Sequence, residues 1–141
     1  MNPLSAIGDQ ERTTLILNQL RSGVLQPDAA RDLTEIGQEA VPLLITALNG
    51  SDPIAQHNAA WVLRSIRPEV VTEELTQVLI KALSYPDAET RQHVARLIRL
   101  LELNSPEIIA ALSRAKEDPD RLVQYHESQA LKNLLADVLQ E

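Results

Sequence analysis

The chain contains no cysteine. That excludes a disulfide framework, a thiolate zinc site and a cysteine nucleophile. Aromatic residues are nearly as scarce, at 2% in a chain that is 44% hydrophobic. The core must therefore come from Leu, Ile, Val and Ala, which suits closely packed helices and fits a β-sandwich poorly. Four glycines are too few for the many tight turns of an all-strand fold. No apolar run approaches the roughly eighteen residues of a membrane span. The opening segment, MNPLSAIGDQER, lacks a basic stretch followed by an apolar one and does not read as a secretory signal. The cytoplasm is the expected location. There is no glycine-rich phosphate loop, no HExxH and no nucleophile elbow, so neither enzymatic activity nor a bound cofactor is expected.

Basic charge is also in deficit. The net charge is −7, which disfavours a nucleic-acid binder that must displace counterions. The charge is uneven. Residues 1–40 carry six acids and three bases, residues 41–101 six of each, and residues 102–141 eight acids and four bases. The middle is the least acidic part, and its bases are mostly Arg.

What is present is a repeat. With the chain slid thirty-five positions along itself, Ala47-Leu48 falls on Ala82-Leu83, Asp52 on Asp87, Ala60 on Ala95, and Leu63 on Ile98. A period of this size marks a solenoid of stacked supersecondary units. The clearest unit is AVPLLITALNGSDPIAQHNAAWVLRSI, from Ala40 to Ile66. Val41, Leu44, Ile45 and Leu48 recur at helical spacing. Asn49-Gly50-Ser51 breaks the helix, and Asp52-Pro53 restarts it, with Asp as N-cap and Pro at the first helical position. Ala55, Ala59, Val62, Leu63 and Ile66 form the next apolar stripe. The second unit runs from Leu75 to Leu101 with Pro86-Asp87 at its turn. In a third, Ser105-Pro106 opens one helix and Asp118-Pro119 the other, and Ala130 keeps the offset from Ala95. An N-terminal unit pairs a helix over Thr14 to Leu20 with one from Pro27 to Gly37, the glycine as C-cap. The expectation is one all-α domain over 1–141, with eight helices in four hairpins. Residues 1–38 and 104–141 form the capping units, and 39–103 hold two full repeats.

The Ala40–Ile66 unit resembles a HEAT repeat of the short bacterial kind grouped with phycobilisome-lyase-type HEAT-like repeats. Asp52-Pro53, Ala59-Ala60, Leu63 and Ile66 match that pattern in one unit, and Asp87, Arg91, Ala95 and Ile98 in the next. The resemblance implies a right-handed α-solenoid. It also implies an Asp–Arg ladder between units, here drawn on Asp52, Asp87 and Arg91. Gln56 stands where the family usually has Arg, and His126 is the expected occupant in the third unit.

In such solenoids the second helices line the concave face. Away from the apolar stripe, the clearest unit then presents His57, Trp61 and Arg64. Adding thirty-five gives Gln92, Arg96 and Arg99, and adding it again gives Glu127, Leu131 and Leu134. Trp and Arg are the types most enriched at binding hot spots, although each also serves as ordinary packing or solvated surface. The expected function is a scaffold or adaptor that binds another protein of acidic or anionic surface on this face, as a monomer or weak dimer, without nucleic acid or membrane. The alternative that the resemblance implies is a chaperone-like or lyase subunit acting on a bilin-bearing protein, with propionates on Arg64, Arg96 or Arg99. A HEAT-like DNA-base glycosylase is disfavoured by the acidic balance and the short chain. His57, His93 and His126 fall at different helical positions, about 100° apart per residue, so no shared metal site is expected. Glu73-Glu74 and Asp118 with Asp120 read as solvated helix ends. The terminal apolar band of Leu131, Leu134, Leu135, Val138 and Leu139 reads as a cap on the preceding pair, with a dimer contact as the other use.

Overall fold

A computed structural model describes residues 8–21, 23 and 27–140. These residues contain no strand. Eight α-helices are present among them: α1 (Asp9–Arg21), α2 (Pro27–Ile36), α3 (Val41–Asn49), α4 (Pro53–Ile66), α5 (Glu73–Ala82), α6 (Ala88–Leu100), α7 (Pro106–Ala115) and α8 (Arg121–Gln140). A short 3-10 turn, Gly37–Ala40, joins α2 to α3.

Helix starts are set by small polar side chains that accept otherwise unpaired backbone N–H groups. Asp52 accepts from Ile54 and Ala55 at the head of α4, with Pro53 in the first turn. Thr72 accepts from Leu75 at α5, Asp87 from Thr90 at α6, and Ser105 from Ile108 at α7. Gly37 ends α2 in the left-handed region at φ 63°, where a residue without Cβ bears little strain. Helix α1 begins at Asp9, well before the expected Thr14. The segment Asp9-Gln10-Glu11-Arg12 has no apolar periodicity, yet Gln, Glu and Arg are good helix formers.

The chain divides into two compact units, Met1–Val70 and Val71–Glu141. In the first, α3 packs on α4, α1 lies on both, and α2 lies on α4. Leu20, Leu33, Leu44, Leu48 and Leu63 are fully buried there. The buried Asn58 amide ties α1 to α4 by donating to the Leu20 and Gly23 carbonyls, each at 2.8 Å. At the unit's end Gln38 holds an irregular stretch: its amide donates to the Arg67 carbonyl and its carbonyl accepts from Glu69 N–H.

In the second unit α5 packs on α6 and on α7, α7 packs on α8, and α6 packs on α8. First helix thus meets first helix, and second meets second. Leu75, Leu79, Ile98, Ile108, Leu112 and Val123 form a fully buried core, each large side chain contributing about 1.5–3 kcal/mol by leaving water. Helices α6 and α8 run the same way: Gln92 meets Asp120 at their heads, and Ile98 and Leu103 meet Ala130 and Leu134 further along.

One expected boundary moves. Helix α8 is capped by Asp120, which accepts from Leu122 N–H at 3.0 Å and Val123 N–H at 3.1 Å. Asp118-Pro119 therefore does not open it as expected. The aspartate that matches Asp87 is the one that follows a proline, as in Pro86-Asp87 and Pro119-Asp120.

Candidate binding face

The three capping aspartates give each second helix a common origin. Asp52, Asp87 and Asp120 also accept, through their own carbonyls, from the N–H four residues on: Gln56, Arg91 and Gln124. The same three residues reach back with their side chains to the loop. Gln56 donates to the Gly50 carbonyl at 2.6 Å, Arg91 to the Tyr85 carbonyl at 2.8 Å, and Gln124 to the Asp118 carbonyl. Each acceptor lies two residues before the cap. A shared hydrogen-bond pattern is a firmer register than composition, because it fixes the rotation of the helix at its first turn.

This register corrects the third unit. The step from Asp87 to Asp120 is two residues shorter than from Asp52 to Asp87. Gln124, not His126, therefore occupies the position of Gln56 and Arg91. The counterparts of Gln92, Arg96 and Arg99 become Tyr125, Gln129 and Lys132. Glu127 and Leu134, expected on the face, are buried at 0% and 9%, and Leu131 is half-buried. The cause is a deletion before the helix: a two-residue slip turns a helix by about 200° and moves face positions into the core.

His57, Trp61 and Arg64 sit on α4, all half-buried, flanking the buried stripe of Ala55, Ala59, Val62 and Leu63. The Trp61 carbonyl accepts from Ser65 Oγ at 3.0 Å. These three belong to the first compact unit. Gln92, Arg96 and Arg99 sit on α6 in the second, also half-buried. The six expected residues thus fall three and three on separate units, and each set forms a face of its own unit.

The face of the second unit is the better defined. Gln92 donates to both oxygens of Asp120, at 3.1 and 3.0 Å, so the α8 cap and the α6 face are one network. Burial alone would push the Asp120 carboxyl up. The Val123 N–H, the Gln92 amide, the Leu122 N–H and the Arg91 charge together hold it below its ordinary value. The Arg99 guanidinium lies over the Tyr125 ring, 5.9 Å from its centroid, within cation–π range. Tyr125 also meets His126 edge-on, with ring centroids 5.3 Å apart. Tyr125 remains 52% exposed, so much of the ring is open to a partner. Arg96 Nε is buried without a hydrogen-bond acceptor. The row of Gln92, Arg96, Arg99, Tyr125, Gln129 and Lys132 carries three cations and no carboxylate. Sequence reasoning missed Tyr125 and Lys132. The signal that finds them is the Pro-Asp dipeptide shared by the α6 and α8 caps.

The expected ladder takes a particular form. Arg91 makes a two-pronged ion pair with Asp118, Nε to Oδ2 at 2.8 Å and Nη2 to Oδ1 at 3.1 Å. Its acid partner is thus the residue two before a cap, whereas Asp52 and Asp87 each accept from the first turn of their own helix. In the first unit a pocket lies among Leu17, Arg21, Thr46, Ala47 and Asp52. Its Thr46 hydroxyl donates to the Pro42 carbonyl and its Asp52 carboxylate caps α4, so neither is poised for chemistry. Among the described residues no group of three or more His, Asp or Glu is placed to hold a metal, and no helix is long and apolar enough to cross a membrane.

No protein-family model matches the chain, and no curated protein matches it. A solved structure described as the crystal structure of an engineered protein is similar in fold, with a TM-score of 0.60 and 23% identity. The match covers 94% of this chain and 66% of that one, so the chain spans about two thirds of the engineered protein's length.

Proposed function

We propose that this chain is a non-enzymatic binding module of HEAT-like helix hairpins in a right-handed solenoid, which holds an acidic protein segment on the faces of its second helices in the cytoplasm. The observation that carries the reading is the row on the second unit. Three cations and an exposed tyrosine lie on α6 and α8 in a chain of net charge −7, and the Asp120 carboxylate at the head of α8 is engaged by Gln92. Arginine and tyrosine are over-represented where binding energy concentrates. A guanidinium already backed by an aromatic ring keeps its fork free for a carboxylate. The α4 face adds Trp61 and Arg64 in the first unit. The repeated loop bond behind Gln56, Arg91 and Gln124 supports reading the helices as units of one repeat.

The test is affinity capture from the native host with the full chain and with an Arg96→Glu, Arg99→Glu, Lys132→Glu variant of unchanged helicity. A partner with an acidic segment should be held by the native chain and lost by the variant, with capture weakening as salt rises. Equal capture by both would sink the reading. A second variant, Trp61→Ala, should reduce capture if the α4 face takes part.

A further inference from the structure

The second unit contains a carboxylic acid where its siblings carry hydrocarbon. Counted from the capping aspartates, Glu127 occupies the position of Ala59 and Val94. Those two are buried at 0% and 1%, and Glu127 is buried at 0%. Its Oε1 has no hydrogen-bond partner, and its Oε2 accepts only a long 3.3 Å bond from the neighbouring Ser128 hydroxyl. A buried acceptor without a donor is tolerated poorly as a neutral acid and far worse as an anion. Helix α8 packs on α6 and α7, so it is the element whose docking this carboxyl bears on most directly.

We infer that Glu127 is a protonation latch on α8: the helix docks tightly when the carboxyl is neutral and loosens when it ionises. The inference stands apart from the binding reading above. The helices packed on α8 carry Glu89, Arg91, His93, Arg96 and Arg99 on α6 and Glu107 and Arg114 on α7, with Lys116 after α7 and His126 next to Glu127 in α8 itself. Arg91 is held by Asp118, Arg99 lies over Tyr125, and Lys116 is the cation whose charge reaches the carboxylate. Burial pushes the Glu127 carboxyl above its ordinary value of 4.5, and the Ser128 bond and Lys116 offset this only in part. The sign follows. A raised acid binds its proton more tightly in the docked state, so docking weakens as pH rises above about 4.5 and levels off beyond the docked-state value.

The experiment is native-state hydrogen exchange on the full chain between pH 5 and pH 7.5, corrected for intrinsic rates, comparing the native chain with Glu127→Gln and Glu127→Val. Valine is the residue that α6 carries at this position, so the second variant is suited to fold. In the native chain, protection of α8 amides from Val123 to Leu134 should fall by up to about tenfold per pH unit inside the window, the limit for one linked proton. In both variants, which keep His93 and His126, the dependence should vanish and α8 should be at least as protected at pH 7. Native α8 protection that is independent of pH would overturn the inference. So would a pH dependence that survives in the variants, or an equal dependence in α5, which would assign the proton to the whole unit.

Discussion

Arg91 offers the sharpest test of what holds the α7–α8 hairpin to α6, because the chain supplies its own control. At the same position α4 and α8 carry Gln56 and Gln124, which close the loop but have no charge to project. Arg91 closes its loop through the Tyr85 and Pro86 carbonyls, both at 2.8 Å, and adds the two-pronged pair with Asp118. The two side chains are 12% and 7% exposed, so the pair is largely out of water. Removing one member of a buried pair costs about 3–5 kcal/mol, mostly from the stranded charge. Asp118 keeps one donor, the Asp120 N–H at 2.8 Å, which softens that penalty. Arg91→Gln should therefore cost about 2–3 kcal/mol while sparing the loop bond. Arg91→Ala also strands two carbonyls and should cost about 4–5 kcal/mol, at roughly 1 kcal/mol for each lost bond. Adding Asp118→Asn to Arg91→Gln should cost little more, giving a coupling of about 2 kcal/mol in the double-mutant cycle. Urea unfolding followed by circular dichroism reads these values, provided the slope is unchanged. Because the pair is buried, 0.5 M salt should remove little of the effect. An Arg91→Gln chain within about 0.5 kcal/mol of native, or a coupling near zero, would refute the argument that this pair fixes the hairpin.

Two further substitutions test the local reasoning. Asn58→Ala removes the amide that ties the α4 interior to the Leu20 and Gly23 carbonyls, so one buried and one part-buried acceptor lose this donor. It should destabilise the first unit by about 2–3 kcal/mol in thermal or urea melts and speed exchange at the end of α1. Asp120→Ala removes the α8 cap and the Gln92 bond, and should cost about 1–2 kcal/mol. Its pH profile has the opposite sign to that of Glu127. The folded Asp120 carboxyl is held below its ordinary value of 3.8, so its contribution is present above that pH and is lost as pH falls. Titrating the native chain and the Asp120→Ala variant between pH 5 and pH 2.5 should show stability falling less steeply in the variant.

How far the sequence reached is best judged at the caps. Asp52-Pro53, Pro86-Asp87 and Ser105-Pro106 were legible because a cap is a local event. One side chain meets backbone donors two or three residues away, and the chemistry is written in adjacent letters. The second helices could be placed for the same reason. The third unit misled because Asp118-Pro119 copies the order of Asp52-Pro53, while the residue that caps is the next aspartate. Apolar matching cannot resolve that choice: Ala130 fits the position of Ala95 under one register and of Leu97 under the other, and both are buried. Polar residues decide it. Gln124 closes the loop as Gln56 does, and this bond is visible only once the loop carbonyl has a place in space. The same slip carried Glu127 from an expected solvent face into the core. There its carboxyl matters for the very reason it was unreadable, since no local pattern announces a charge that only tertiary packing has buried. A helix's position along the chain is thus fixed by neighbours in sequence. Its rotation is fixed by a few long-range polar contacts, and a binding face is a statement about rotation.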